Sequence, residues 1–302
     1  MSNTTTLITS SYDYTIHPVV ANGLNACLVA LFSFGLIMTP QKFMQGGLYQ
    51  QPWFRNIPEA RNNRLYFLAQ FIGLVMLGGA VVPTLIAPND MLLTYQFAII
   101  QGVNLLHTFV FLCSSAYEDR PDEGKSLGQW WGMTILSAVF FAITVVAATS
   151  DKAPTEIVAR DTIVSKEAAN IALLVFSSSF GLLFTLAPRI ALSMFWEDES
   201  PTENKIGPFH LLRTTSIEHW WCRNAGTALL GLNAGLAVYG DISHPLYSYQ
   251  SLIIVSTLTL LNLHQITMGT YEKVSAFQVK VSWVPTLISS MGMVAVLVLS
   301  FV

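Results

Sequence analysis

Eight windows of this chain run for roughly 20 residues without an Asp, Glu, Lys or Arg, and they constrain the fold more tightly than any motif. The windows are Val19–Met38, Leu65–Ala87, Met91–Ala116, Leu127–Thr149, Ala168–Ala187, Asn224–Gly240, Leu246–Thr270 and Val281–Val302. A bilayer core about 30 Å thick is crossed by about 20 apolar residues of helix rising about 1.5 Å each. In hydrocarbon an unpaired backbone N–H or C=O costs several kcal/mol, so the chain must pair its own polar groups. Barrel strands would alternate and turn after about ten residues, and these runs do neither. The sixth window is short, and Trp220 and Trp221 extend it. Turn signals such as Pro88-Asn89-Asp90 and Asp241-Ile242-Ser243-His244-Pro245 fill the gaps. The expected fold is all-α, a polytopic membrane bundle of eight transmembrane helices.

Composition narrows the function classes. Of 302 residues, 52% are hydrophobic and only 11% charged, against about 25% charged in soluble domains. With 15 Lys+Arg, 18 Asp+Glu and a formal charge of -3, the chain is neither a disordered tail nor a basic nucleic-acid binder. Cys27, Cys113 and Cys222 show no CxxC spacing and form no disulfide framework. The first window lacks a basic n-region and is too long for a cleaved signal.

Charge also predicts orientation. The segments after windows one, three, five and seven hold 12 of the 15 basic residues; only Lys152, Arg160 and Lys166 lie on the other side. The positive-inside rule then places both termini outside, or in a lumen. The Asn3-Thr4-Thr5 sequon agrees with that side. All seven Trp fall at or near the basic side, as an interfacial aromatic belt would.

The two halves resemble each other. Phe34-Gly35-Leu36 matches Phe180-Gly181-Leu182, and Arg61-Asn62 matches Arg223-Asn224. Tyr95-Gln96 and Ile99-Ile100 match Tyr249-Gln250 and Ile253-Ile254, and the order is kept. Residues 1–149 and 167–302 are expected to be parallel four-helix pseudo-repeats, joined by a polar connector, 150–166. Ala69 and Gly73 in one half and Gly231 and Gly235 in the other form small-xxx-small pairs, which let helices pack closely.

Because no charge enters the windows, buried neutral polar groups are the candidate site. Window three carries Gln101, Asn104, His107 and Thr108 on one helical face. Window seven carries Thr259, Asn262 and Gln265 on one face, with His264 on another. Such residues serve as interhelical hydrogen bonds, as the lining of a path for a neutral substrate, or, for His107 and His264, as axial ligands of haem or chlorophyll. The long loop holding Asp198, His210, Glu218 and His219 lacks metal-ligand spacing and reads as solvated. No nucleophile elbow, phosphate loop, HExxH or intramembrane carboxylate is present. The leading expectation is a non-catalytic membrane protein that binds lipids, pigments or other membrane subunits, with no nucleic-acid partner. The alternative is a facilitator or carrier for a small neutral or apolar compound.

Overall fold

A computed structural model describes residues 16–46, 59–113, 124–149, 162–198, 203–269 and 274–302. Asn3, Trp53 and connector residues 150–161 lie outside the described residues. Helix dominates. The first set of helices is α1 (Pro18–Met38), α2 (Pro40–Gly46), α3 (Glu59–Met76), α4 (Val82–Ile86), α5 (Met91–Cys113) and α6 (Gly124–Ala148). The second is α7 (Lys166–Leu186), α8 (Pro188–Phe195), α9 (Ser216–Tyr239), α10 (Pro245–Met268), α11 (Ala276–Gln278) and α12 (Val284–Leu299). A two-stranded antiparallel ribbon, β1 (Lys205–Ile206) and β2 (Phe209–His210), sits between α8 and α9.

Among the described residues, seven helices are long and apolar enough to cross a membrane: Pro18–Met38, Arg64–Ile86, Met91–Cys113, Trp130–Ala148, Lys166–Leu186, Pro245–Met268 and Ala276–Leu299. The sixth expected span folds as α9 but is not among the seven. Arg223, Asn224 and Asn233 lower its hydropathy. It starts eight residues earlier than the apolar window did, because Thr215 and Glu218 form a capping box. The Thr215 hydroxyl accepts from the Glu218 N–H while the Glu218 carboxylate accepts from the Thr215 N–H.

The packing plan repeats. In the first set α1 lies along α3, and α5 along α6; in the second α7 lies along α9, and α10 along α12. The second long helix of each set then packs on the third of the other, α9 on α5 and α3 on α10. Helices α1 and α7 end alike, on Thr39 and Ala187, each followed by a proline that starts a short helix.

The helix from Glu59 to Ile86 is interrupted by a π segment, Leu77–Val81, just before Pro83. Proline has no N–H, so the carbonyl of Gly79 loses its i+4 donor. Gln250 fills the gap from the other set, its Nε2 donating to that carbonyl at 2.9 Å. Gln96 answers from α5, donating to the Leu232 carbonyl at 3.2 Å, and the two amides hydrogen-bond each other. A second π segment, Val279–Trp283, precedes Pro285 in the last helix.

One expectation about the aromatics is overturned. Of the six described Trp, five are buried: Trp130, Trp196, Trp220, Trp221 and Trp283; Trp131 alone is exposed. Instead of a belt they form interior aromatic clusters, Trp130 edge-on to Trp220, and Trp283 edge-on to Phe67 and Trp196. The loop after α7 is not simply solvated either. Buried Arg64 donates to Asp198 at 2.8 Å, and fully buried Glu218 lies 3.9 Å from the same guanidinium. Burial of these three charged groups is tolerable because one guanidinium faces both carboxylates.

Candidate functional site

Among the described residues two cavities lie between the helices, each walled mainly by one set and partly by the other. The first, the aromatic cavity, has a volume of about 100 Å³ and is walled by α3, α7, α8, α9, α10 and the last helix. Phe67, Phe71, Phe180, Phe184, Trp196 and Trp283 supply its rings. One end holds a closed polar cluster. The Tyr247 hydroxyl donates to Asn233 Oδ1 at 2.6 Å, and Asn233 Nδ2 donates to the Ser177 and Ser178 hydroxyls, both at 2.8 Å. Asn262 also lines this cavity. It is 9% exposed and has no hydrogen-bond partner among the described residues. An amide without a protein partner keeps two donors and an acceptor available to an occupant.

The second, the amide cavity, has a volume of about 150 Å³ and is walled by α1, α3, α5, α6 and α9. Phe32, Phe97, Trp220 and Trp221 are its rings, and Gln101, Asn104, Ser137, Asn224 and Thr227 its polar groups. Gln101 Nε2 donates to Asn25 Oδ1 at 3.2 Å, and Asn25 in turn donates to the Ala21 carbonyl and the Thr144 hydroxyl. Asn224 donates to the Trp220 carbonyl at 2.8 Å and also hydrogen-bonds His107. Asn104, half-buried, has no hydrogen-bond partner among the described residues.

The remaining sequence candidates divide sharply. Thr108 and Gln265 are buried, and Thr259 donates to the Val255 carbonyl of its own helix. His107 stacks on Trp220 with ring centroids 5.8 Å apart. His264 sits on an exposed face of α10. Neither imidazole lines either cavity. Among the described residues no three His, Cys, Asp or Glu gather as a metal would need. Ala69 is fully buried. Gly73 packs against α1, where a Cβ would come within 3.1 Å of the Ser33 carbonyl. Gly231 and Gly235 pack against Ile100 and Gln96 of α5.

Three pairs were not singled out as site residues from sequence, and each has a counterpart on the other set. Asn22 donates to the carbonyls of Pro88 and Asp90 and accepts from the Thr94 hydroxyl. Asn170 does the same with Ile242, His244 and Ser248. The side chains of Asp90 and His244 cap the next helices, accepting from the N–H groups of Leu92 and Leu246. They also face each other, Nε2 to Oδ2, at 3.5 Å. Burial holds the Asp90 carboxyl above the ordinary carboxylate range, while His244 and the Leu92 N–H pull it back. Gln96 and Gln250 are the third pair, 154 positions apart, as are Asp90 and His244, and Thr94 and Ser248. The signal available in sequence was the run Asp90-x-x-x-Thr94-x-Gln96, which recurs as His244-x-x-x-Ser248-x-Gln250.

No family model matches this chain, and no curated protein or solved structure matches it.

Proposed function

We propose that this chain is a membrane protein of two related four-helix halves, crossing the bilayer eight times, that holds a small neutral membrane-soluble molecule in its aromatic cavity. The observation that carries the reading is Asn262, an amide without a partner among the described residues, in a mostly apolar wall whose other two amides, Asn233 and Gln250, are already hydrogen-bonded within the protein. Binding pockets of this kind are mostly apolar with a few placed polar groups that fix orientation. At about 100 Å³ the aromatic cavity is smaller than an engineered apolar cavity of about 150 Å³ that accommodates benzene, so its occupant places no more than a small ring or a short segment of chain there. One free amide suits one hydroxyl or carbonyl on the ligand.

The repeat is supported by the three matched pairs and by the glycine contacts. Gly73 approaches α1 at Ser33 and Ile37, and Gly226 approaches α7 at Gly181 and Thr185, two positions further along, while Gly78 meets Ile254 as Gly231 meets Ile100. In this register Gly73 corresponds to Gly226 rather than to Gly235.

The geometry favours lipid or pigment binding over haem or chlorophyll ligation by His107, whose ring is stacked and hydrogen-bonded within the protein. A carrier for a small neutral compound would use the same cavity, and flux through reconstituted vesicles distinguishes it from simple retention. The primary test is organic extraction and mass analysis of protein purified from its native membrane. Near-stoichiometric recovery of one neutral lipid-soluble compound, lost in Asn262→Leu, is expected. Recovery unchanged by that substitution rejects the site.

A further inference from the structure

We infer that the amide cavity is a binding site in its own right, the counterpart of the aromatic cavity in the other half, and that it takes one small neutral molecule bearing a single hydroxyl or carbonyl. The inference rests on the two-halves reading above but not on occupancy of the aromatic cavity.

Corresponding positions build both cavities. Ile100 of α5 lines one where its counterpart Ile254 of α10 lines the other, and the first long helix of each half adds a ring, Phe32 of α1 and Phe180 of α7, two positions apart in the Phe34–Phe180 register. Each is closed by a ring borrowed from the opposite half, Trp220 of α9 in one and Phe67 of α3 in the other. The feature that points to an occupant is present in both: an amide on the third long helix of the half, facing the cavity without a partner among the described residues. In the aromatic cavity it is Asn262, in the amide cavity Asn104. They are not at equivalent positions. Asn262 corresponds to Thr108, one helical turn from Asn104 on the same face of α5. The ligand's polar group is therefore held one turn, about 5.4 Å, further along the helix in one half than in the other.

With no partner in the described residues, both amides keep hydrogen-bonding capacity for an occupant. Leucine at either place would have a similar volume and no hydrogen bonds to satisfy. A neutral hydroxyl or carbonyl meets that demand without bringing a charge into the bilayer, which would cost more.

The test is native mass spectrometry of the full chain released from micelles, with a medium-chain bromo-alkanol as probe, alongside thermal unfolding. Wild type should take two adducts. Asn104→Leu should take one, as should Asn262→Leu, and the double variant none. Both single variants should unfold at the wild-type temperature or above when ligand-free, which separates lost binding from lost folding. One adduct in wild type, removed by Asn262→Leu and untouched by Asn104→Leu, overturns this inference while leaving the proposed function standing. One adduct removed only by Asn104→Leu rejects the aromatic site instead. Adducts indifferent to both substitutions reject both.

Discussion

Asp90 and His244 meet where the two sets of helices come together, and each is tied twice. Each caps its own following helix and each faces the other across the join. The carboxyl is fully buried, the imidazole nearly so, with the Tyr239 ring edge-on to the imidazole. Because burial raises the Asp90 pKa in the folded state, its contribution favours folding at pH values below the unfolded value, about 3.9. That contribution is lost as pH rises through the raised folded value. Wild type should therefore lose thermal stability as pH rises from about 4 into the range above it. Asp90→Asn keeps an oxygen for the Leu92 N–H but cannot ionise, so its curve should be flatter over the same window and no lower at neutral pH. Parallel curves for the two proteins in unfolding scans across pH would show that the carboxyl is not held above its ordinary value. The pair was readable in sequence only as turn residues, since Asp90 and His244 are 154 positions apart and nothing local announces that the two turns touch. Asn104 and Asn262 were readable, because an amide within an apolar helix stands out wherever it points.

At the level of elements, close approach between helices is set by glycines rather than by the shape of large side chains. A Cβ on Gly226 would lie 2.6 Å from the Gly181 carbonyl oxygen and 2.8 Å from the Thr185 backbone nitrogen, atoms that no rotamer change can move. Helices α7 and α9 would have to separate. Gly132 of α6 faces open space, with nothing within 4 Å of the same added atom. Gly226→Ala should cost about 1–3 kcal/mol by overpacking, whereas Gly132→Ala should stabilise by up to about 1 kcal/mol through helix propensity. Unfolding by denaturing detergent added to mixed micelles measures both, and equal effects at the two sites would remove the tight α7–α9 contact from the argument. The small-residue pattern pointed to α9 as a packing helix, but it could not say which glycine meets which neighbour. Gly226 follows Asn224-Ala225 where the apolar window begins, and only its contact with α7 sets it apart. The π segment at Leu77–Val81 was equally silent in sequence, since Gly78-Gly79 and Pro83 permit such a bulge without requiring it.

The whole molecule turns on α9. At 24 residues it is about 36 Å long, enough to cross a bilayer core, yet its polar groups keep it below the hydropathy of its seven neighbours. Those groups are not offered to lipid. Glu218 is fully buried in the capping box and near Arg64, Asn224 donates to a carbonyl of its own helix, and Asn233 is satisfied by Ser177, Ser178 and Tyr247. The helix lies against α7 on one side and α5 on another, both apolar enough to span, with α3 beside it. A helix shielded in this way can cross a membrane with a modest apolar content, because its neighbours and not the lipid are its solvent. The two alternatives differ in one observable. Eight crossings place both ends of the chain on one side of the membrane; seven place them on opposite sides. Epitope tags on the first and last residues, probed by antibody in sealed vesicles before and after permeabilisation, should respond together. Opposite responses would mean that α9 packs within the bundle without passing through it, and the parallel relation between the two halves would fall with it, since two four-helix units can share an orientation only if each crosses an even number of times.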